Sequence, residues 1–128
     1  MQTKEKEMTV KKYFAMWVKR EFTNLPDLFH SDIYYSECYG PEYQGLSEIR
    51  AWIEDMLQKQ TVLEWRIKQF IHQDHLTIVE WFFKEELAGA IGGFNGVSII
   101  EFSPDGKIRS VKEFSSVAEH VRPFQGNE

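Results

Sequence analysis

The sequence predicts an α+β fold: a curled antiparallel sheet closed by helices that precede it in the chain. Two observations carry that prediction. Two amphipathic segments in the first half repeat their apolar residues with the 3.6-residue period of a helix, and after Gln60 the period falls to two. Turn-forming clusters, Gln73-Asp74-His75 and Ser103-Pro104-Asp105-Gly106, then divide the second half into long strands joined as a meander. Helices first and a meander afterwards is an α+β order.

Each element follows from local chemistry. Met1–Met8 is polar and reads as a frayed arm. Thr9 can cap a helix whose stripe is Val10, Tyr13, Phe14, Trp17 and Val18. Asn24-Leu25-Pro26-Asp27 starts a second, short helix to about His30, with Pro26 in the first turn and Asp27 at the positive end. Asp32 to Tyr39 is rich in β-formers and reads as a strand, stopped by Gly40-Pro41. Gly45 closes the next loop. Ser47 caps a third helix with Ile49, Trp52, Ile53, Met56 and Leu57 on one face and Glu48 in its first turn.

The alternation of Val62–His72 puts Leu63, Trp65, Ile67 and Ile71 on one face and Glu64, Arg66, Lys68, Phe70 and His72 on the other. Leu76 to about Leu87 carries Trp81-Phe82-Phe83, which predicts cover on both faces. Ala88–Gly96, with four glycines, reads as a bend. Val97–Phe102 and Ile108–Val117 are the last strands, and Arg122–Glu128 is a polar tail. Four long strands and two amphipathic helices make an open half-barrel, a cone whose mouth suits a small molecule.

Composition narrows the function classes. The 128 residues suit one domain, 1–128, with its core at about 8–117. Fifteen Lys+Arg against twenty Asp+Glu give a net charge of −5 with no basic cluster, which argues against nucleic acid as the partner. A single cysteine, Cys38, fits a reducing compartment, and the charged N-terminus has no signal-like apolar region, so a cytoplasmic location is expected. Glu80 and Lys84 interrupt even the Val79–Phe83 run, so no stretch approaches the ~20 apolar residues of a membrane span.

The histidines at 30, 72, 75 and 120 form no metal-ligand pattern, and neither a metal nor a cofactor is expected. Ten Phe, five Tyr and four Trp favour an apolar or aromatic ligand. Trp17, Trp52, Trp81 and Phe94 are candidates to line its pocket, though such spacing equally serves a plain core. Phe70, Phe82 and Phe114 are expected on the outer face of the sheet, a surface for a homodimer unless Val121–Phe124 covers it.

Five segments in order carry a resemblance: the helix bearing Tyr13, Asp27-Leu-Phe-His-Ser-Asp32, Ser36-Glu-Cys-Tyr-Gly40, Gly45-Leu-Ser-Glu-Ile-Arg50, and Ser103-Pro-Asp-Gly-Lys-Ile108. Over residues 8–117 the chain resembles the nuclear transport factor 2-like superfamily, in its SnoaL-like and ketosteroid isomerase-like branch. That resemblance implies a cone-shaped fold and a sheet-to-sheet homodimer. It also implies a carboxylate base at Glu37 and an oxyanion-stabilising hydroxyl at Tyr13. The family's third polar position falls on Ser98, where a serine replaces an acid.

With Ser98 inward, parity turns Val111, Glu113 and Ser115 toward the cavity and Lys112 and Phe114 outward. Glu113 then pairs with Glu37, one protonated while the other is ionised. Strand alternation could instead turn Glu37 to solvent, with Cys38 opposite, and Tyr13 could be an ordinary core tyrosine. The expected activity is a cofactor-free isomerase, cyclase or dehydratase. Its rivals are a non-catalytic ligand binder with the same cavity and a protein-interaction module using the outer sheet.

Overall fold

The structure is a computed structural model that describes residues 1–125; the last three residues of the predicted polar tail lie outside them. The order is α1 (Thr3–Lys19), α2 (Leu25–Leu28), β1 (Phe29–Ser36), β2 (Glu42–Gln44), α3 (Leu46–Leu57), β3 (Gln60–Gln73), β4 (Leu76–Leu87), β5 (Ala90–Phe102) and β6 (Ile108–Val117). The strands form one open sheet in the order β2-β1-β6-β5-β4-β3. Only β1 and β6 run parallel; the other neighbours are antiparallel. α1 and α3 cover the concave face, so the fold is α+β as predicted.

The first helix starts earlier than its apolar stripe. The Glu5 carboxylate accepts from the Gln2 backbone N–H at 2.9 Å, while Thr9 sits mid-helix and donates its hydroxyl to the Glu5 carbonyl at 3.0 Å. The predicted frayed arm is instead a helical turn held by polar contacts. Lys6, almost wholly buried, donates its ammonium to the Asp74 carbonyl, and Glu7 meets His72 Nε2 at 2.8 Å. An apolar pattern does not report such anchors. At the other end, the Arg20 guanidinium donates to the Leu57 and Gln60 carbonyls at 2.5 and 2.7 Å, tying α1 to the junction of α3 and β3.

Val10, Tyr13, Phe14 and Trp17 are buried as the stripe predicts, while Val18 falls at its edge and is exposed. In α3 the cap is Gly45, at φ +84°, rather than Ser47. The predicted loop after Gly40 contains the short strand β2, which adds an edge beside β1.

The sheet departs from simple alternation in β3 and again where β1 and β5 meet β6 near Ile108. β3 carries irregularities between Val62 and Glu64 and between Ile67 and Gln69, each shifting the phase by one residue. Val62, Trp65, Ile67 and Phe70 therefore face or border the core, whereas Leu63 and Ile71 are 41% and 52% exposed. Phe70 thus leaves the outer face on which alternation placed it; Phe82 and Phe114 remain there.

The predicted bend at 88–96 is only the two-residue turn Ala88-Gly89, both at positive φ, after which β5 is already paired. Of its glycines, Gly93 and Gly96 serve packing. A Cβ on Gly96 would lie 2.4 Å from Trp81 Cη2, so this position must be bare for the indole to lie across the strand. Val121 and Phe124 are almost fully exposed and do not cover the outer face. No helix among the described residues is long and apolar enough to cross a membrane.

Candidate functional site

A hollow opens between the concave sheet and the two long helices, and all four tryptophans of the chain border it. α1 contributes Trp17, α3 Trp52 and Met56, β3 Val62 and Trp65, and β4 Trp81 and Phe83. Phe94 of β5, Glu113 of β6 and the turn Glu37-Cys38-Tyr39 after β1 complete the rim. The cavity has a volume of about 40 Å³, within about 400 Å³ of free space that includes the open mouth. The deep part is thus a narrow cleft with space for a few waters.

The packed rings set its shape. Phe14 stacks on Trp65 at 3.8 Å and 5°, and Tyr43 on Trp52 at 4.8 Å and 16°. At the mouth Tyr39, 62% exposed, meets Phe94 edge-on at 6.0 Å. Trp81 donates its indole N–H to Ser98 Oγ at 2.9 Å.

A hydrogen-bonded chain runs inward from α1 to β6. Trp17 Nε1–H donates to Tyr13 Oη at 3.0 Å, the Tyr13 hydroxyl to Tyr35 Oη at 2.8 Å, and the Tyr35 hydroxyl to Glu113 Oε2 at 2.5 Å. Burial raises both tyrosines well above the usual phenol range, so both remain protonated donors at any physiological pH. Burial also raises Glu113, to about 8; the Tyr35 hydrogen bond pulls against this and the charge of Glu37 adds to it. At neutral pH Glu113 therefore keeps its proton. Since Oε2 accepts from Tyr35, the proton belongs on Oε1, which has no protein partner among the described residues.

Glu37 stands past the last residue of β1, in a turn closed by its N–H on the Pro41 carbonyl at 2.9 Å. Its proton affinity is also raised, chiefly by burial, while the Tyr43 hydroxyl donates to Oε2 at 3.0 Å and opposes that rise. The Trp52 indole N–H favours the ionised form as well, though it completes no hydrogen bond by geometry. Partly open to water and supplied with a donor, Glu37 is the carboxylate that ionises first.

The structure brings Glu37, Glu113, Trp17, Trp52, Trp81 and Phe94 to one hollow. Three candidates lie elsewhere. Tyr13 is buried one layer behind, where its hydroxyl reaches Tyr35 and not the cavity; Tyr35 stands in the position it was expected to fill. Ser98 faces inward but is fully buried beneath Trp81, its hydroxyl taken by the indole. Val111 is buried in the core below the cavity floor.

Cys38 shares the hollow with Glu37 instead of opposing it, because strand alternation ends at Ser36. Sequence reasoning missed Tyr35. Its position two residues before Glu37 was the available signal, since alternate strand residues share a face. Among the described residues no group of three or more His, Cys, Asp or Glu is placed to hold a metal ion.

Several solved structures share this architecture. An LEH-like epoxide hydrolase of M. tuberculosis superposes with a TM-score of 0.79 at 14% identity, over 89% of this chain and 84% of its own. A protein of Catenulispora acidiphila with a ketosteroid isomerase-like fold, solved in complex with trimethylamine, gives 0.75 at 17%, over 84% and 85%. A nuclear transport factor 2-like protein of Burkholderia pseudomallei gives 0.75 at 14%, over 91% and 92%. At such identities the likeness is one of fold. No curated protein matches the chain in sequence. The family model for the SnoaL-like domain matches residues 10–111, from the first helix to the strand that carries Glu113, and the chain belongs to the SnoaL-like domain family.

Proposed function

We propose that the hollow binds a small, largely apolar molecule and that its two carboxylates exchange protons with it. Glu37 is the general base, acting beside a carbonyl; Glu113 is the protonated partner that donates from Oε1 to the oxygen on which negative charge develops. Tyr35 orients Glu113, and Tyr13 and Trp17 position Tyr35. The activity is of the isomerase, cyclase or dehydratase type. The observation that carries this reading is the unequal pair of acids in one aromatic hollow, one held protonated by burial and the other supplied with a donor. Two titratable groups pushed apart by their surroundings divide the acid and base roles between them.

The test needs no knowledge of the natural substrate. A panel of small cyclic and aromatic ketones is incubated with the protein in deuterium oxide, and exchange of the protons beside the carbonyl is followed by NMR. Glu37→Gln is expected to slow exchange by on the order of a hundredfold while still binding the ketone. Equal exchange in the variant removes Glu37 from the mechanism and leaves the cavity to a non-catalytic binder.

The partner we propose is a second copy of this chain packed on the outer sheet face, where Phe114 is 53% exposed. Phe114→Lys should convert a dimer to a monomer in sedimentation analysis.

A further inference from the structure

We infer that the ligand carries a positive charge: the hollow is built for a small alkylated ammonium group, seated against indole and phenyl faces and opposite the Glu37 carboxylate. The inference rests on the reading of the hollow as the ligand site and names the class of molecule that fits there.

The census of its walls carries the argument. Eight aromatic rings and two carboxyl groups border the space, and no lysine, arginine or histidine does. Each ring presents a negative face, and a cation held within about 6 Å of ring centroids is attracted to it, most strongly by tryptophan and most of all away from water. Among the described residues no cationic side chain that would hold an anion lines the walls, and the one carboxylic proton, on Glu113, leaves as that group ionises. Two of the four indole N–H donors are spent, Trp17 on Tyr13 and Trp81 on Ser98; those of Trp52 and Trp65 are buried and have no hydrogen-bond partner. The Gln60 amide donates to Glu85 at 2.6 Å.

What remains toward the hollow is the Glu37 carboxylate and Oε1 of Glu113, which carries the proton at neutral pH and becomes a second acceptor as Glu113 ionises. Nearby cations are committed outside. Lys59 pairs with Asp55 at 2.8 Å, and Arg20 holds two carbonyls. An alkylated ammonium answers both halves of the census, its methyl groups against the rings and its charge toward the carboxylates. Its small size suits the narrow cleft.

A pH dependence follows. The groups that face Glu113 are Tyr35, Tyr13, Cys38, Tyr39 and Glu37, and those coupled to Glu37 from other elements are Tyr43, Trp52, Glu85, Lys59, Tyr13 and Glu113. The tyrosines and the thiol are all raised above their ordinary values. Between neutrality and about pH 9 the change in this set is therefore dominated by the ionisation of Glu113.

Tetramethylammonium chloride, which does not titrate, is compared with tert-butanol by isothermal calorimetry and by quenching of tryptophan fluorescence, with sodium chloride as the ionic-strength control. The cation should bind at least about tenfold more tightly than the neutral probe. Its affinity should rise severalfold from about pH 6 to about pH 9, a rise that Glu113→Gln removes. Glu37→Gln, shown folded by near-ultraviolet dichroism, should weaken the cation about tenfold and leave tert-butanol within about twofold.

Tighter binding of tert-butanol, or cation affinity indifferent to both substitutions, overturns the inference. In that case ketone exchange that still depends on Glu37 leaves the proton-transfer reading standing. If neither probe binds and no ketone exchanges, the hollow is not a ligand site and both readings fall together.

Discussion

Glu113 and Glu37 border one hollow but stand on different ground. Glu113 projects from β6, paired with Ser98 of β5 and one residue beyond Lys112, where the pairing of β6 with β1 ends. It is partly buried, but its hydrogen-bond donor, Tyr35, is fully buried and is itself fixed by Tyr13 and Trp17. Glu37 belongs to a turn that no ladder constrains, is partly open to water, and takes its donor from Tyr43 on a three-residue edge strand. The same side chain thus becomes a held acid on a strand and an ionisable base in a turn. A protein scaffold tunes a carboxylate less by neighbouring charge than by how far it is carried from solvent.

The largest effect that can test this contrast is the cost of ionising Glu113. Its proton affinity in the folded chain, about 8, exceeds that of a carboxylate in an unfolded chain. Its stabilising effect is therefore fully present below the ordinary carboxylate range, and is lost as pH rises through about 8. A tenfold difference in proton affinity corresponds to about 1.4 kcal/mol, so complete ionisation costs the fold on the order of 5 kcal/mol. Glu113→Gln should be more stable than the wild type by up to that amount at about pH 9 and nearly unchanged at about pH 4, measured by urea unfolding. Glu37→Gln should show a much flatter difference. Parallel stability curves for wild type and Glu113→Gln would show that the two carboxylates do not differ in this way.

The contrast also decides what could be read from the chain. The Val111–Phe114 stretch of β6, past the shift at Arg109, was legible: alternation alone turns Val111 and Glu113 inward and Lys112 and Phe114 outward, and the structure shows that orientation. β3 was not, because two phase shifts exchange its faces, and nothing in Val62–His72 marks where an extra residue enters the ladder. Glu37 lies where alternation has ended, so its direction depends on the turn; the family resemblance, not the period, pointed to it. Tyr13 was legible as a buried helical residue. Its distance from the cavity was not, since periodicity gives a face and no depth. The polar anchors Lys6 and Glu7 escaped for a related reason, being long side chains that reach across to another element.

A middle-sized effect separates the turn from the strand. Gly40 adopts φ +111°, a conformation that side chains rarely adopt, and a Cβ there would meet nothing within 4 Å. Gly40→Ala should therefore cost about 1 kcal/mol through backbone strain alone. Because the strain is confined to the turn that holds Glu37, it should lower the rate of ketone exchange while leaving the titration of Glu113 in place. Carboxyl-carbon NMR of the folded variant separates the two. A shift of Glu113 as large as that of Glu37 would show that the rim and the floor move as one body.

The smallest effect probes the donor on the rim. The Tyr43 hydroxyl lowers the proton affinity of Glu37, against the burial that raises it. Tyr43→Phe removes that bond but keeps the ring that stacks on Trp52, so the walls of the hollow should persist. Glu37 should then titrate at higher pH, and the pH profile of exchange should move the same way, its low-pH limb displaced upward with little change in the plateau rate. The Glu113 side of the profile should stay where it was, since its donor is Tyr35. If Tyr43→Phe instead moves both limbs together, the two acids share their proton so closely that base and acid are not separate residues but states of one coupled pair.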